Sequence, residues 1–430
     1  MKHSILFLTT ANLATNPRLV KELDLALHSG YYTKLIMFRL GNWSDDKTFL
    51  LLKDLENRYP HFDTLQDVTF LNATNENKFN WLLWGATEKL SRKLYPLFKN
   101  VRLINAAANS RRAIQMLQKA KRIEQNIDLI CAHNLGALYP AYHLSKKWKR
   151  PFTFDIEDYH PGENISFDAK NEKQRRKNLM KWLLPKANAL SFASPLIQEY
   201  TLNLIGGHKN HQVILNGFPQ EEFTKPGNEI PQNSAETKTL KLVWFSQKIG
   251  PGRGLEQMLE ALSRLELRLD QFIELTLIGG IDGTFKREVI DPFLKKTKSN
   301  KIKLKLSGPL SQKELHKNLA QFDIGLAIEF DSTDINRQLC ITNKILAYAQ
   351  AGLFVVATDT RAQKDFISAH PNLGILCEQS PGELTKVLDR LFHILPEIKK
   401  GALKRYNEST VLSWEKEAEK VTKVWKNISQ

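Results

Sequence analysis

The chain has 430 residues, 42% apolar and 25% charged, and 62 Lys or Arg against 46 Asp or Glu give a formal net charge of +16. Single cores stop growing near about 250–300 residues, so this length calls for two domains, while near-average composition excludes a disordered tail protein, a collagen-like fibre and a coiled coil. No apolar run approaches the roughly 18 residues of a membrane span, Met1–Ser4 ahead of Ile5–Leu8 is too short for a secretory leader, and the dispersed Cys131, Cys340 and Cys377 fit a reducing cytoplasm better than a disulfide framework or zinc site.

In chain order, His3–Thr9 reads as a buried strand, Arg18–Ser29 as a helix stopped by Gly30, and Thr33–Arg39 as a second strand. Asp128–Ala132 is a further strand, Ala137–Lys147 a helix and Phe152–Asp155 a strand; Lys181–Ala187, Leu190–Ala193 and Val213–Leu215 continue the pattern. Lys225–Lys238, with Pro226, Gly227, Pro231 and Ser234, has linker composition. The alternation then restarts: Leu240–Phe245, Ile273–Ile278, Lys301–Leu306, Ile324–Ile328 and Phe354–Thr358 are strands. Gly254–Leu265, Gln312–Ala320, Asn343–Ala351 and Ser413–Ile428 are helices, the last with Trp414, Ala418, Val421 and Trp425 at helical spacing. Strands alternating with helices make βαβ units and parallel sheets. The reading is α/β, two doubly wound domains: 1–220, a linker 221–238, and 239–412, with 413–430 packing back on the first.

The charge is uneven. Lys89–Arg122 holds ten Lys or Arg and no acid, and Trp81, Trp84, Tyr95 and Phe98 stand beside it. Tryptophans next to a basic amphipathic helix suit an anionic membrane face, and an ordinary core stripe is the competing reading.

No G-x-x-x-x-G-K-[ST] occurs, and no G-x-G-x-x-G follows a first strand, which excludes a P-loop and leaves an ordinary dinucleotide fold without support. The informative segment is Leu242–Glu256: a strand, a turn with Gly250, Gly252 and Gly254 carrying Lys248 and Arg253, then a helix. Glycines let backbone approach an anion, the helix start offers free N–H groups, and the two cations add charge, which together make a diphosphate cradle.

This turn resembles the donor-phosphate turn of the GT-B glycosyltransferases of retaining family 4. Asn16-Pro17-Arg18, Asn216-Gly217, Leu277-Ile278-Gly279-Gly280, Ser307-Gly308-Pro309 and Asn343-Lys344-Ile345-Leu346-Ala347-Tyr348 through Ala357 are similar to the family's motifs in the same order. The resemblance implies a GT-B fold, two Rossmann-like domains facing a central cleft, and transfer of a sugar from a nucleotide diphosphate sugar to a lipid-linked or polysaccharide precursor, with retention. It implies donor contacts at Lys248, Arg253, Gly254, Ser307, Gly308, Glu329, Asn343 and Lys344, and acceptor contacts at Asn16, Arg18 and His160. Glu157, Asp158 and His133 are the candidate catalytic groups. The chain departs from the family where two glutamates would fall, at Leu339 and Ala347, and where a histidine would fall, at Glu157. Glu329 is the nearest carboxylate to take over contact with the sugar. No cofactor, metal or nucleic acid is expected, and the expected location is the cytoplasm, peripheral to the inner membrane face through Trp81–Arg122. A GT-B sugar-nucleotide epimerase and a catalytically degenerate homologue are the alternatives.

Overall fold

The computed structural model describes residues 3–76, 78–123, 126–165, 167–227, 238–297, 300–330 and 334–429. Most of the expected linker, 228–237, lies outside the described residues. The chain forms two compact units, Met1–Ile214 with Ala418–Gln430, and Leu215–Glu417.

The first unit is built on seven parallel strands: β1 (Ser4–Thr9), β2 (Tyr32–Arg39), β3 (Val68–Asn72), β4 (Leu129–His133), β5 (Phe152–Ile156), β6 (Ala189–Phe192) and β7 (His211–Val213), in the order β3-β2-β1-β4-β5-β6-β7. Helices cover both faces, which is why the central strands read as unbroken apolar runs. Ile5, Leu6, Phe7 and Leu8 are all buried. Helix Pro17–His28 starts under Asn16, whose side chain accepts from the Leu19 N–H, and is followed by Gly30 at φ +78°. Register sets the carboxyl edge: Thr9 lies beside His133, His133 beside Asp155, and Asp155 beside Ser191. The end of the last helix, Trp414–Ser429, closes this unit, with the Trp425 ring edge-on to Phe7 and Tyr31 at 6.3 and 5.9 Å.

The second unit has six parallel strands: β8 (Lys238–Ile249), β9 (Gln271–Ile281), β10 (Ile302–Ser307), β11 (Ile324–Ala327), β12 (Phe354–Thr358) and β13 (Gly374–Cys377), in the order β10-β9-β8-β11-β12-β13. Residues 215–227 pack here: the buried Gln350 amide bonds the Phe218 N–H and C=O at 2.9 and 2.8 Å, and His316 stacks on Phe223 at 4.4 Å. In each sheet the strand order reverses once, between β1 and β4 and between β8 and β11. Such switch points open a crevice at the carboxyl ends of the strands, where ligands of doubly wound sheets bind.

Candidate functional site

In the second unit, β8 runs to Ile249 with a bulge between Phe245 and Lys248, so Lys248 lies on the strand and not in the glycine turn. It pairs with Asp282 at 2.7 Å. Bonds from Lys248 and from the Phe285 and Thr284 N–H groups hold the Asp282 carboxyl down to about 2. The turn 250–254 places Gly252 at φ +71° and Gly254 at φ +79°, a region that only glycine enters freely. A Cβ on Gly254 would also stand 2.9 Å from the Phe330 ring. Helix Leu255–Arg264 then begins on Gly254 with no side-chain cap. Its first N–H groups have no intrahelical partner, Glu256 of the first turn reaches back to accept from the Gly252 N–H at 2.9 Å, and Arg253 is exposed beside them.

The carboxyl ends of β11 and β12 bring up the other side. Glu329 exchanges two backbone bonds with Thr358 Oγ1, at 2.8 and 2.9 Å, and its carboxylate meets Lys344 Nζ at 3.0 Å. Both side chains are buried, and Lys344 lies over the Trp244 ring at 5.4 Å. Asn343 is exposed and accepts from Asn216 at 2.9 Å. Arg337 donates to the Gly252 carbonyl at 3.0 Å. Thus Arg253, Gly254, Glu329, Asn343 and Lys344 gather near the β8/β11 switch, whereas Ser307 and Gly308 follow the edge strand β10. Trp244, Thr358 and Arg337 were missed by sequence reasoning; Thr358 carried the one usable signal, a polar residue ending an apolar strand. Leu339 and Ala347, where glutamates were sought, are fully buried.

The first unit holds a buried ionic cluster. Arg18 grips Asp155 with two bonds of 2.7 and 2.6 Å and donates to the Ile214 carbonyl at 2.7 Å. His133, 1% exposed, stands with Nε2 3.3 Å from Glu22 and Nδ1 3.5 Å from Asp155 and 3.7 Å from Glu157. Burial pulls the imidazole down, but Glu22, Asp155 and Glu157 outweigh it and raise His133 well above its ordinary value. Burial raises Asp155, and Arg18 and His133 override that and push it far below the carboxylate range. A cavity of about 20 Å³ adjoins the cluster, lined by Glu22, His133, Asp155, Ser191 and Trp425 among others. That is room for one water.

These contacts place three of the expected site residues in the interior of the unit. Arg18 and Asn16, assigned to an acceptor, are interior: Arg18 neutralises Asp155, and Asn16 caps its own helix. His133, taken as a catalytic group, is sealed among carboxylates and fits an electrostatic role better than that of a base open to substrate. Glu22, His133 and Asp155 have ligand atoms within 4.8 Å of one another, a spacing that suits a metal ion. Arg18 already supplies the cation Asp155 requires, so the donor set does not fit one well. Glu157 keeps Oε1 buried without a hydrogen bond, and Asp158 follows it at intermediate exposure. His160 bonds Glu163 at 2.7 Å and keeps Nε2 buried without a partner. Burial raises the Glu163 carboxyl, but His160 and Arg176 hold it down at about 2.

The basic segment is three helices, Lys78–Leu94, Arg102–Asn109 and Arg111–Ala120. Not all of its cations face outward. Arg92 pairs with Glu88 at 2.8 Å, Arg112 donates to the Thr10 carbonyl at 2.7 Å, and Arg111 stacks on Trp81 at 5.5 Å. Tyr95 is buried under Arg175. What stays outside is apolar as well as basic: Phe79, Leu82, Leu83, Leu90, Leu97 and Phe98 are exposed together with Lys89, Lys93 and Lys99. Among the described residues no helix is long and apolar enough to cross a membrane.

No protein-family model matches the chain, nor does any curated protein. Solved structures do. A structure of HepE from Anabaena in complex with UDP is similar over 99% of this chain and 100% of its own, at 16% identity and TM-score 0.66. A glycosyltransferase from Rickettsia africae matches over 99% and 98% at 16% identity and TM-score 0.66. Sucrose-phosphate synthase from Thermosynechococcus elongatus matches over 99% of both chains at 12% identity and TM-score 0.65. What these likenesses establish is the fold: two Rossmann-like units in one chain, the GT-B architecture.

Proposed function

We propose that the chain is a GT-B glycosyltransferase that moves a hexosyl group from a nucleotide diphosphate sugar, held by the second unit, to a carbohydrate or lipid-linked acceptor. The observation that carries this is the turn 250–254, an uncapped helix start with Arg253 beside it at the sheet's switch point. Glycosyl transfer develops negative charge on the leaving diphosphate and an oxocarbenium-like sugar. Preorganised N–H groups and cations aimed at that charge lower the barrier. Arg253, the start of helix Leu255–Arg264 and Lys344 fill this role, and the departing phosphate takes the acceptor's proton. Retention and family 4 membership rest on the motif resemblance. HepE has been solved with UDP and with UDP-glucose, which supports a nucleotide sugar as donor. A structure described as a putative UDP-N-acetylglucosamine 2-epimerase from Listeria monocytogenes matches at TM-score 0.52, a weaker likeness, and keeps epimerisation as the second reading.

The acceptor is lipid-linked or a polysaccharide precursor in this reading, and the chain works in the cytoplasm against the inner membrane face. The exposed apolar residues of helix Lys78–Leu94 beside Lys89, Lys93 and Lys99 support that. A thermal-shift panel of nucleotide sugars tests the donor: a ligand binding only the native state raises its melting temperature. No shift with any nucleotide sugar refutes the proposal; turnover of donor without any acceptor favours the epimerase.

A further inference from the structure

Lys344 is a cation in an unfavourable place. It is the second residue of helix Asn343–Gln350, where the helix dipole opposes positive charge, and it is buried. A buried ammonium requires an anion, and Glu329 supplies one at 3.0 Å. Glu329 is itself anchored, because its N–H and C=O both bond Thr358 Oγ1. Its backbone therefore stays in place whatever the lysine does, and the carboxylate can only turn about its own side-chain bonds. The segment that carries Glu329 adjoins the turn 250–254: Ile328 and Phe330, on either side of Glu329, are the residues pressed against Gly254. Shielded ion pairs gain little net energy once desolvation is counted. A diphosphate, with more than one negative charge, outcompetes a single carboxylate for the same ammonium.

We propose that Lys344 exchanges partners when donor binds: it leaves Glu329 for the diphosphate, and the freed Glu329 carboxylate accepts a hydroxyl of the donor sugar. The proposal rests on the second unit being a nucleotide-sugar site. It makes sugar recognition conditional on the diphosphate. A bare nucleoside diphosphate must break the ion pair and leave Glu329 unsatisfied, whereas the sugar conjugate gives Glu329 a new hydrogen bond. Glu329 thereby does the work that the resemblance assigned to glutamates at positions now held by Leu339 and Ala347.

The test is calorimetric titration with UDP, ADP and GDP and their glucose conjugates, carrying forward the base that binds. Glu329→Gln removes the charge and keeps the shape, so the diphosphate alone is expected to bind about tenfold tighter, and the preference for the glucose conjugate to shrink at least fivefold. Lys344→Met is expected to weaken the diphosphate about tenfold, and adding Glu329→Gln to it should restore nothing, since the glutamate acts on the diphosphate only through the lysine. Should Lys344→Met not fold, Lys344→Arg keeps the charge, and Glu329→Gln must still tighten the diphosphate in that background. A Glu329→Gln chain with unchanged or weaker diphosphate binding overturns the exchange, and so does equal tightening with Lys344→Met. If no nucleotide of the panel binds the unsubstituted chain, the donor reading falls and the exchange falls with it.

Discussion

His133 gives the sharpest prediction about the first unit. Three carboxylates, Glu22, Asp155 and Glu157, face it at 3.3–3.7 Å, and Arg18 is the other cation in the cluster. Replacing it by Leu leaves those carboxylates opposite one guanidinium in a site 1% exposed. Leaving a buried charge uncompensated costs about 3–5 kcal/mol. For a unit of this size each kcal/mol lowers the melting temperature by roughly 2–4 °C, so a fall of roughly 6–20 °C is expected at pH 7. The pH dependence fixes the sign. Because the folded state raises His133 well above 6.5, its contribution is complete below that value and is lost as pH rises through the folded value. Asp155 runs the other way: its folded value is depressed, so its contribution is present above about 3.8 and is lost as pH falls through the folded value. Calorimetric melts across pH 2–9 should show a decline above about pH 6.5 in the parent chain that is missing from His133→Leu, while the acid limb below about pH 3.8 stays in both. Glu22→Gln added to His133→Leu should return part of the loss. A His133→Leu chain that melts within about 2 °C of the parent at pH 7, or keeps the alkaline limb, would refute the reasoning.

Three further outcomes follow from the geometry. Arg253→Ala should weaken nucleoside diphosphate binding about tenfold, since a charge-assisted bond to phosphate contributes about 1.5–3 kcal/mol; unchanged affinity in calorimetry removes Arg253 from the donor site. Lys89, Lys93 and Lys99 changed together to Glu should abolish co-sedimentation with anionic vesicles, at about 1 kcal/mol per lysine, and leave nucleotide affinity intact; binding that persists shows that the exposed cations do not carry it. Gly325→Ala places a Cβ 2.1 Å from the Tyr348 ring, and overpacking of this kind costs about 1–3 kcal/mol, which denaturant melts of the second unit should read.

The strands that pack on both faces were legible because burial on both faces writes a continuous apolar run, as in Ile5–Leu8 and Leu242–Trp244. β3 was not read: it is an edge strand whose middle residues are only half buried, and Val68–Asn72 shows neither a run nor an alternation. β13, four residues starting at Gly374, is equally mute. The turn 250–254 could be found because positive φ leaves a trace in residue type. Arg18 could not be placed, because its partner is 137 residues away and only strand register sets it beside helix Pro17–His28. An arginine in sequence looks the same whether it meets a ligand or a buried aspartate. Counting cations in Lys89–Arg122 failed for a related reason: it cannot see Glu88 one residue outside the count, nor the carbonyl that holds Arg112.

The absent glutamates show why a motif position and a chemical role must be separated. Ala347 is fully buried, flanked by Leu346 and Tyr348 and packed in the apolar cluster with Val243, Ile278 and Val355. Restoring the glutamate that the resemblance calls for puts a carboxylate into that cluster. The nearest described cation on the same helix is Lys344, already held by Glu329. An uncompensated carboxylate there costs about 3–5 kcal/mol and takes up a proton at neutral pH instead of contacting sugar. Ala347→Glu is therefore expected to lower the melting temperature of the second unit by at least about 6 °C, to lower it less as the pH falls and the carboxyl protonates, and to give no gain in donor affinity. A stable Ala347→Glu chain that binds nucleotide sugar more tightly would mean that the pocket for the glutamate survives behind Ala347, and that Glu329 is not its replacement.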